Sequence, residues 1–411
     1  MLEGLERIAW ERLTHAYGPA GEVPGWIREL TSDDAAVRKR AFDVLEGSIC
    51  HQGSRYRASA PAVPFLFELL ESPSATDRVR LIRLLTNLAI GYPEWHVPLG
   101  FNPAQQFAET ETLGGPDEIG RIRDAEPEEE EDFEPGRDAL WQRDAYEVVI
   151  GRIVTLQGLS RDEDPDVRAA AVKALAWFPG AAPESVRFVR DALVRETGPK
   201  ERANALLSLG ILARYLNDRS DVPALLACLS PDEAPSVRLS AAISLAVILG
   251  KSAPAECINV LLDAVQSPDA PDLVGWHWLG PIAHACAAIT AAKPEPTESV
   301  LAAMCRAAEL VSNPWSGAEV NNTLLGLVFP DPSTLGTDPR TGFRRVTPEE
   351  LTPEQRQAIY AIGRAPVWQT EPYHYGGLMD VGLEYGLPWQ PDRYRALLEE
   401  VRRAESSGTS E

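Results

Sequence analysis

The residues of this 411-residue chain that could do acid–base, metal or nucleophilic chemistry are few and scattered. His277 and His284 stand seven apart with Cys286 beside them, a spacing that brings two side chains to one helical face. Pro281 interrupts that helix, and a first-row metal needs three or four convergent ligands, so packed or groove-facing histidines are the simpler reading. His51 with Tyr56 and Arg57 offers a polar pocket or, more simply, a stabilised turn. The cysteines (Cys50, Cys228, Cys257, Cys286, Cys305) are odd in number, widely spaced and set in apolar stretches, which reads as buried free thiols. No glycine-rich phosphate loop, GxSxG elbow or paired CxxC occurs. The sequence assigns no catalytic residue, no metal ligand and no cofactor. It says how the chain is built far more than what it does.

Charge narrows the partners. The net charge is -22 and the pI about 4.8, which opposes binding to phosphate backbones, since nucleic-acid affinity rests on Lys and Arg displacing counterions. Either the excess acid only keeps the chain soluble, or it steers a basic protein surface towards it. No apolar run reaches the roughly 18 residues that span a bilayer. The first residues carry no basic and apolar leader, so the expected place is the cytoplasm.

The elements that must position any site repeat. Asp166-Val167-Arg168, Lys200-Glu201-Arg202 and Ser236-Val237-Arg238 each open a helix of small and apolar residues, and the steps from Val167 to Glu201 and on to Val237 are 34 and 36 residues. That period belongs to stacked helical hairpins. Residues 5 to 17 have apolar positions at helical spacing and predict a capping helix. Repeats follow around Val37, around Pro61 and Val79, from Trp141 to Trp177, from Pro183 to Leu212, from Val222 to Leu249, and, kinked at Gly280-Pro281, after Cys257. A helix from Val300 to Val311 closes the run. Val79 to Val167 is 88 residues, one period too long, so 92–138 reads as an insertion. Residues 117 to 138 hold eleven acidic and three basic residues, a local charge of -8, which predicts a partly disordered surface loop or a docking tail for a basic partner. Proline and glycine mark 330–353 as a connection. Thr347 with Glu350 and Thr352 with Gln355 have capping-box spacing. The predicted division is a repeat array over 1–315 and a helical module over 316–411.

The aspartate-rich turn followed by Val-Arg and a small-residue helix resembles HEAT repeats, over roughly residues 24 to 312. The resemblance implies an all-α, right-handed HEAT-type α-solenoid of six to seven hairpins, with second helices lining the concave side. It also implies a ladder of turn acids and arginines, here Asp34 with Arg38, Asp77 with Arg80, Asp166 with Arg168 and Glu233 with Arg238. His51-Gln52-Gly53 with Ala60-Pro61-Ala62-Val63-Pro64, and Leu351-Thr352-Pro353-Glu354, are similar to a group of bacterial HEAT-repeat proteins of unassigned function. Deoxyhypusine hydroxylase shares the architecture, but its His-Glu metal pairs have no counterpart here.

On the second helices, the positions six and ten residues after the Val-Arg signature face away from the core stripe. They are Lys173 and Trp177, Leu207 and Ile211, Ile243 and Val247, continued by His277 and Trp278. The helix from Val237 to Leu249 is apolar all round and must be covered, either by the C-terminal module or by a partner. Two classes of function stand. One is a non-enzymatic scaffold or adaptor binding another protein, a basic one, on the concave face. The other is an enzyme or lyase-like small-ligand carrier using the groove near Trp177 and His277.

Overall fold

The computed structural model describes residues 2–72, 76–125, 134–267, 269–271, 273, 276, 280–338, 342–369 and 376–408. The expected all-α fold of stacked hairpins is the one found, and the chain divides into two compact units, Met1–Asn217 and Asp218–Glu411.

The first unit opens differently from the expected capping helix. Short 3-10 turns at Leu5–Arg7 and Trp10–Arg12 lead into a two-stranded antiparallel ribbon, β1 (Thr14–His15) and β2 (Gly18–Pro19). The cause is tertiary. The buried Trp10 indole donates to the Leu5 carbonyl, and the backbone bonds outward, Ala16 to Ser48 and Ala58 to Thr14, instead of along a helix. Then come α1 (Val23–Glu29) with α2 (Ala35–Ile49), and α3 (Ser59–Leu70) with α4 (Arg78–Ile90).

The insertion is built, not loose, up to Ala125. It holds a 3-10 turn at Pro93–His96, α5 (Pro103–Gln106), a 3-10 turn at Ala108–Leu113 and α6 (Pro116–Asp124). Phe101, Phe107, Leu113 and Ile122 are its buried anchors, and a residue count dominated by acids hid them. The most acidic part of the run, 126–133, lies outside the described residues. The single long helix expected after it is two, α7 (Pro135–Ile150) and α8 (Ile153–Leu159), broken at Gly151-Arg152. Glycine is a weak helix former, and Arg152 leaves helical geometry to reach Glu71, its Nη2 2.7 Å from Oε1. So α7 belongs with the insertion, packed on α3 and α4, while α8 pairs with α9 (Pro165–Leu175) and α10 (Ala182–Arg195) with α11 (Pro199–Leu216).

In the second unit α12 (Val222–Ala227) precedes α13 (Pro235–Leu249), and α14 (Ala255–Val265) precedes α15 (Gly280–Ala292). Proline is tolerated in a first turn, so Gly280-Pro281 starts this helix instead of kinking it. The run also continues past its expected end: α16 (Glu298–Leu310) pairs with α17 (Pro314–Val328) through an Asn313 cap. There follow α18 (Pro353–Gly363), α19 (Gly376–Tyr385) and α20 (Pro391–Gly408). Thr352 and Gln355 form the full capping box, whereas Thr347 makes no side-chain cap and Pro348–Glu350 is a 3-10 turn. No described helix is long and apolar enough to cross a membrane. Among the cysteines only Cys228 is not fully buried, and burial pushes the Cys50 and Cys257 thiols up to about 12.

The acid–arginine ladder exists, with its rungs shifted by one turn. Two of the Val-Arg arginines first bind their own turn's carbonyls, Arg38 those of Ser32 and Asp33, Arg168 those of Asp162 and Glu163. They then pair with an acid beyond their own turn, Arg38 Nε with Asp77 at 2.7 Å and Arg168 Nε with Glu196 at 2.8 Å, while Arg80 reaches back to Asp43 and Arg238 donates to the Leu229 carbonyl. Arg78, just ahead of its Val-Arg signature, reaches Asp162 with both amino groups. Asp34 does not pair with Arg38: it caps α2 by accepting from the Ala36 N–H, as Asp164 caps α9. A helix start has N–H groups to satisfy, and the short Asp side chain meets one first. Arg168→Ala should therefore cost about 1.5–3 kcal/mol. The Arg168 hydrogen bond holds the Glu196 carboxyl below its ordinary value of 4.5. That contribution is complete above the unfolded value and is lost as pH falls through the folded one. Denaturant titrations should show the gap between parent and variant at neutral pH and its narrowing below pH 4.5.

Candidate partner-binding site

In the first unit the predicted stripe is a covered floor. Trp177, directly after α9, is 0% exposed, and Leu207 and Ile211 on α11 are each 3% exposed. Ile211 lies beneath the insertion. Gly100, at φ +86°, presses its backbone on Ile211 and Tyr215, and a Cβ there would stand 2.7 Å from Ile211 Cγ2. Arg214 Nη1 donates to the Leu99 carbonyl at 2.8 Å. Phe101 continues the contact, edge-on to His96 and packed on Phe107 and Tyr146, which in turn stacks on Phe178 at 5.7 Å. Lys173 on α9 is half-buried, and burial pushes its ammonium down to about 8, with Glu94 of the insertion opposing and Arg83 reinforcing the shift.

In the second unit Ile243 (1% exposed) and Val247 (8%) lie on α13, which packs against α12, α14 and α15. The C-terminal helices take other seats, α18 on α16 and α17, and α19 on α17. His277 and Trp278 lie outside the described residues. His284 is buried against Trp276, and Cys286 is fully buried.

What holds the cover down is a polar network with one part legible in the sequence. Arg55, 2% exposed, donates to the Gly53 carbonyl and, at 3.0 Å, to Gln142 Oε1 of α7. Gln106 of α5 donates to the same oxygen at 2.7 Å, and Gln142 donates to Asp138. Burial pushes Arg55 down to about 10 and raises Asp138, two signs of charge held in a dry place. The His51-Gln52-Gly53 turn is strained to suit: Gln52 has φ 50°, and Gly53 leaves room for the Trp95 ring. His51 itself turns away from Tyr56 and Arg57, to the Gly47 carbonyl and the Tyr17 hydroxyl.

The acidic surface has a concave part. A recess of about 500 Å³ at the start of the first unit is walled by Glu6, Glu11, Glu22 and Glu29 with Trp26. Arg28 pairs with Glu6, Arg40 with Glu29, and Glu22 lies 3.9 Å from His15 Nε2. Nothing in the spacing of these glutamates marks them as one wall, since the ribbon that gathers them is a tertiary product.

Among known families, the HEAT-repeat model matches residues 153–246, from the first residue of α8 into α13. Among solved structures, one engineered protein is 18% identical over 93% of this chain and 99% of its own, with a TM-score of 0.25. A second engineered protein is 19% identical over 84% and 96%, with a TM-score of 0.24. Kap121p is 11% identical over 94% of this chain and 55% of its own, with a TM-score of 0.24. No curated protein matches the sequence. The Val-Arg hairpins over 153–246 are thus matched as HEAT repeats, and helical hairpins of the same kind stand on either side of them.

Proposed function

We propose that the protein is a non-enzymatic scaffold or adaptor that binds another protein, a basic one. The observation that carries this is the HEAT-repeat match over 153–246, because such arrays expose long rigid faces suited to protein recognition. The net charge of -22 and the glutamate-walled recess support a basic partner. Lys173, Trp177, Leu207 and Ile211 enter this reading as the floor on which 93–107 is built, and the partner meets the faces around it. Affinity capture of the full chain in its source cells, followed by reconstitution from purified components at low and high salt, tests the reading. A defined protein that rebinds directly and dissociates as salt screens the contact is expected. Purified chain that binds no protein but carries a small-molecule ligand contradicts it.

A further inference from the structure

A second concavity lies away from the covered floor, between α3, α6 and α7, and holds about 580 Å³. Its walls are Pro61 and Pro64 of α3, Trp141 and Val148 of α7, and Tyr56 and Arg57 of the preceding loop. Trp141, Tyr56, Pro61 and Val148 are half-buried and Pro64 is exposed, so an apolar strip with two aromatic rings faces outward.

The walls are fixed before anything binds. Arg57, 6% exposed, stands over the Trp141 ring at 5.7 Å and donates to the Arg123 carbonyl at 2.6 Å. Arg123 in turn grips Asp144 with two N–H groups, which ties α6 to α7 and neutralises both charges. The exposed carboxylate at the rim is Glu147, whose side chain is 62% exposed and stands 3.9 Å from Arg143 Nε, a loose surface pair that leaves it open to a second cation.

We propose that this groove receives a proline-rich segment of the partner protein, in polyproline II conformation, with a basic residue beside it that reaches Glu147. Three observations converge on that occupant. Aromatic rings beside a flat apolar wall suit pyrrolidine rings, and a polyproline helix is stiff enough to lose little entropy on docking. Its carbonyls have no internal partners, and Tyr56, which lines the wall, carries a hydroxyl able to donate to one. The exposed Glu147, held only loosely by Arg143 at 3.9 Å on a chain of charge -22, favours a flanking cation. The inference rests on the protein-binding reading above and names a site and a partner chemistry for it.

The test uses the folded full chain and three labelled probes read by fluorescence anisotropy: oligoproline ending in arginine, the same peptide ending in glutamate, and a glycine–serine peptide ending in arginine. The arginine oligoproline is expected to bind best and the glycine–serine peptide not at all. Trp141→Ala should weaken the best probe by about thirtyfold, as loss of an aromatic anchor does. Because that variant removes a packed ring, Glu147→Lys gives the independent reading: on an exposed site it should reverse the preference between the arginine and glutamate peptides, which misfolding does not do. Equal binding of the proline and glycine–serine probes, no binding of any probe by chain with an unchanged melting profile, or an unreversed preference in Glu147→Lys would overturn the proposal. A captured partner that still binds Trp141→Ala and Glu147→Lys at full affinity overturns the groove and leaves the scaffold reading standing.

Discussion

Arg55→Ala is expected to destabilise the first unit by about 3–5 kcal/mol, the cost of removing one member of a buried charged network and leaving its partners unpaired. For a unit of this size that corresponds to a melting point lower by roughly 10 °C. The Gly53 carbonyl loses the Arg55 donor, Gln142 Oε1 keeps only the one from Gln106, and Asp138, already raised by burial, loses a nearby cation. Because Gln106 and Gln142 share the network, the loss reaches α5 and α7 as well as the His51 turn. Calorimetry checks the size, and the double variant Arg55→Met with Asp138→Leu checks the cause. Taking both charges away together should return most of the loss, whereas a purely steric role for Arg55 would leave the double variant no better than the single.

Gly100→Ala should cost about 2–4 kcal/mol, from about 1 kcal/mol for placing a Cβ at positive φ and about 1–3 for forcing it into an occupied space. The added carbon would fall inside the van der Waals shell of Tyr215 Oη and 2.7 Å from Ile211 Cγ2. Either α11 or the insertion must shift. If 93–107 is part of the scaffold, unfolding stays a single transition at lower denaturant. A variant that keeps parental stability while binding an apolar dye would instead mean that the segment lifts away cheaply.

The fold was legible wherever the chain repeats itself. The Val-Arg register at Val167 and Val237, and its Glu201 equivalent, marks α9, α13 and α11, and the Thr352-Pro353-Gln355 signal marks the start of α18, because caps and small-residue helices are local chemistry. What was illegible is what depends on distant partners. Trp10 and Thr14 make a ribbon out of a helical pattern only because Ser48 and Ala58 are there to bond it. Arg38 skips its own Asp34, which a helix end has already claimed. Along the stripe from Lys173 to Ile211 and along α13 the apolar spacing says that the residues are covered, and Trp177, Leu207, Ile211, Ile243 and Val247 are buried. The identity of the cover over Ile211 was lost among the acids of the insertion, although Phe101 and Phe107 stood in plain view. At the groove, Tyr56 and Arg57 were visible as a polar pair, but Trp141, 84 residues beyond Arg57, joins them only when α7 lies on α3.

The central claim is that 93–107 is built into the first unit and closes the stripe, so recognition takes place on other faces. Amide hydrogen exchange tests it most directly. Gly100, Gln106 and Phe107 N–H groups bond to His96, Asn102 and Pro103 carbonyls, and they should exchange in step with Ala205–Ala213 of α11, through opening of the whole unit. Exchange of 99–107 at loop rates while α11 stays protected would show a segment that comes and goes over an open groove, and would contradict the account.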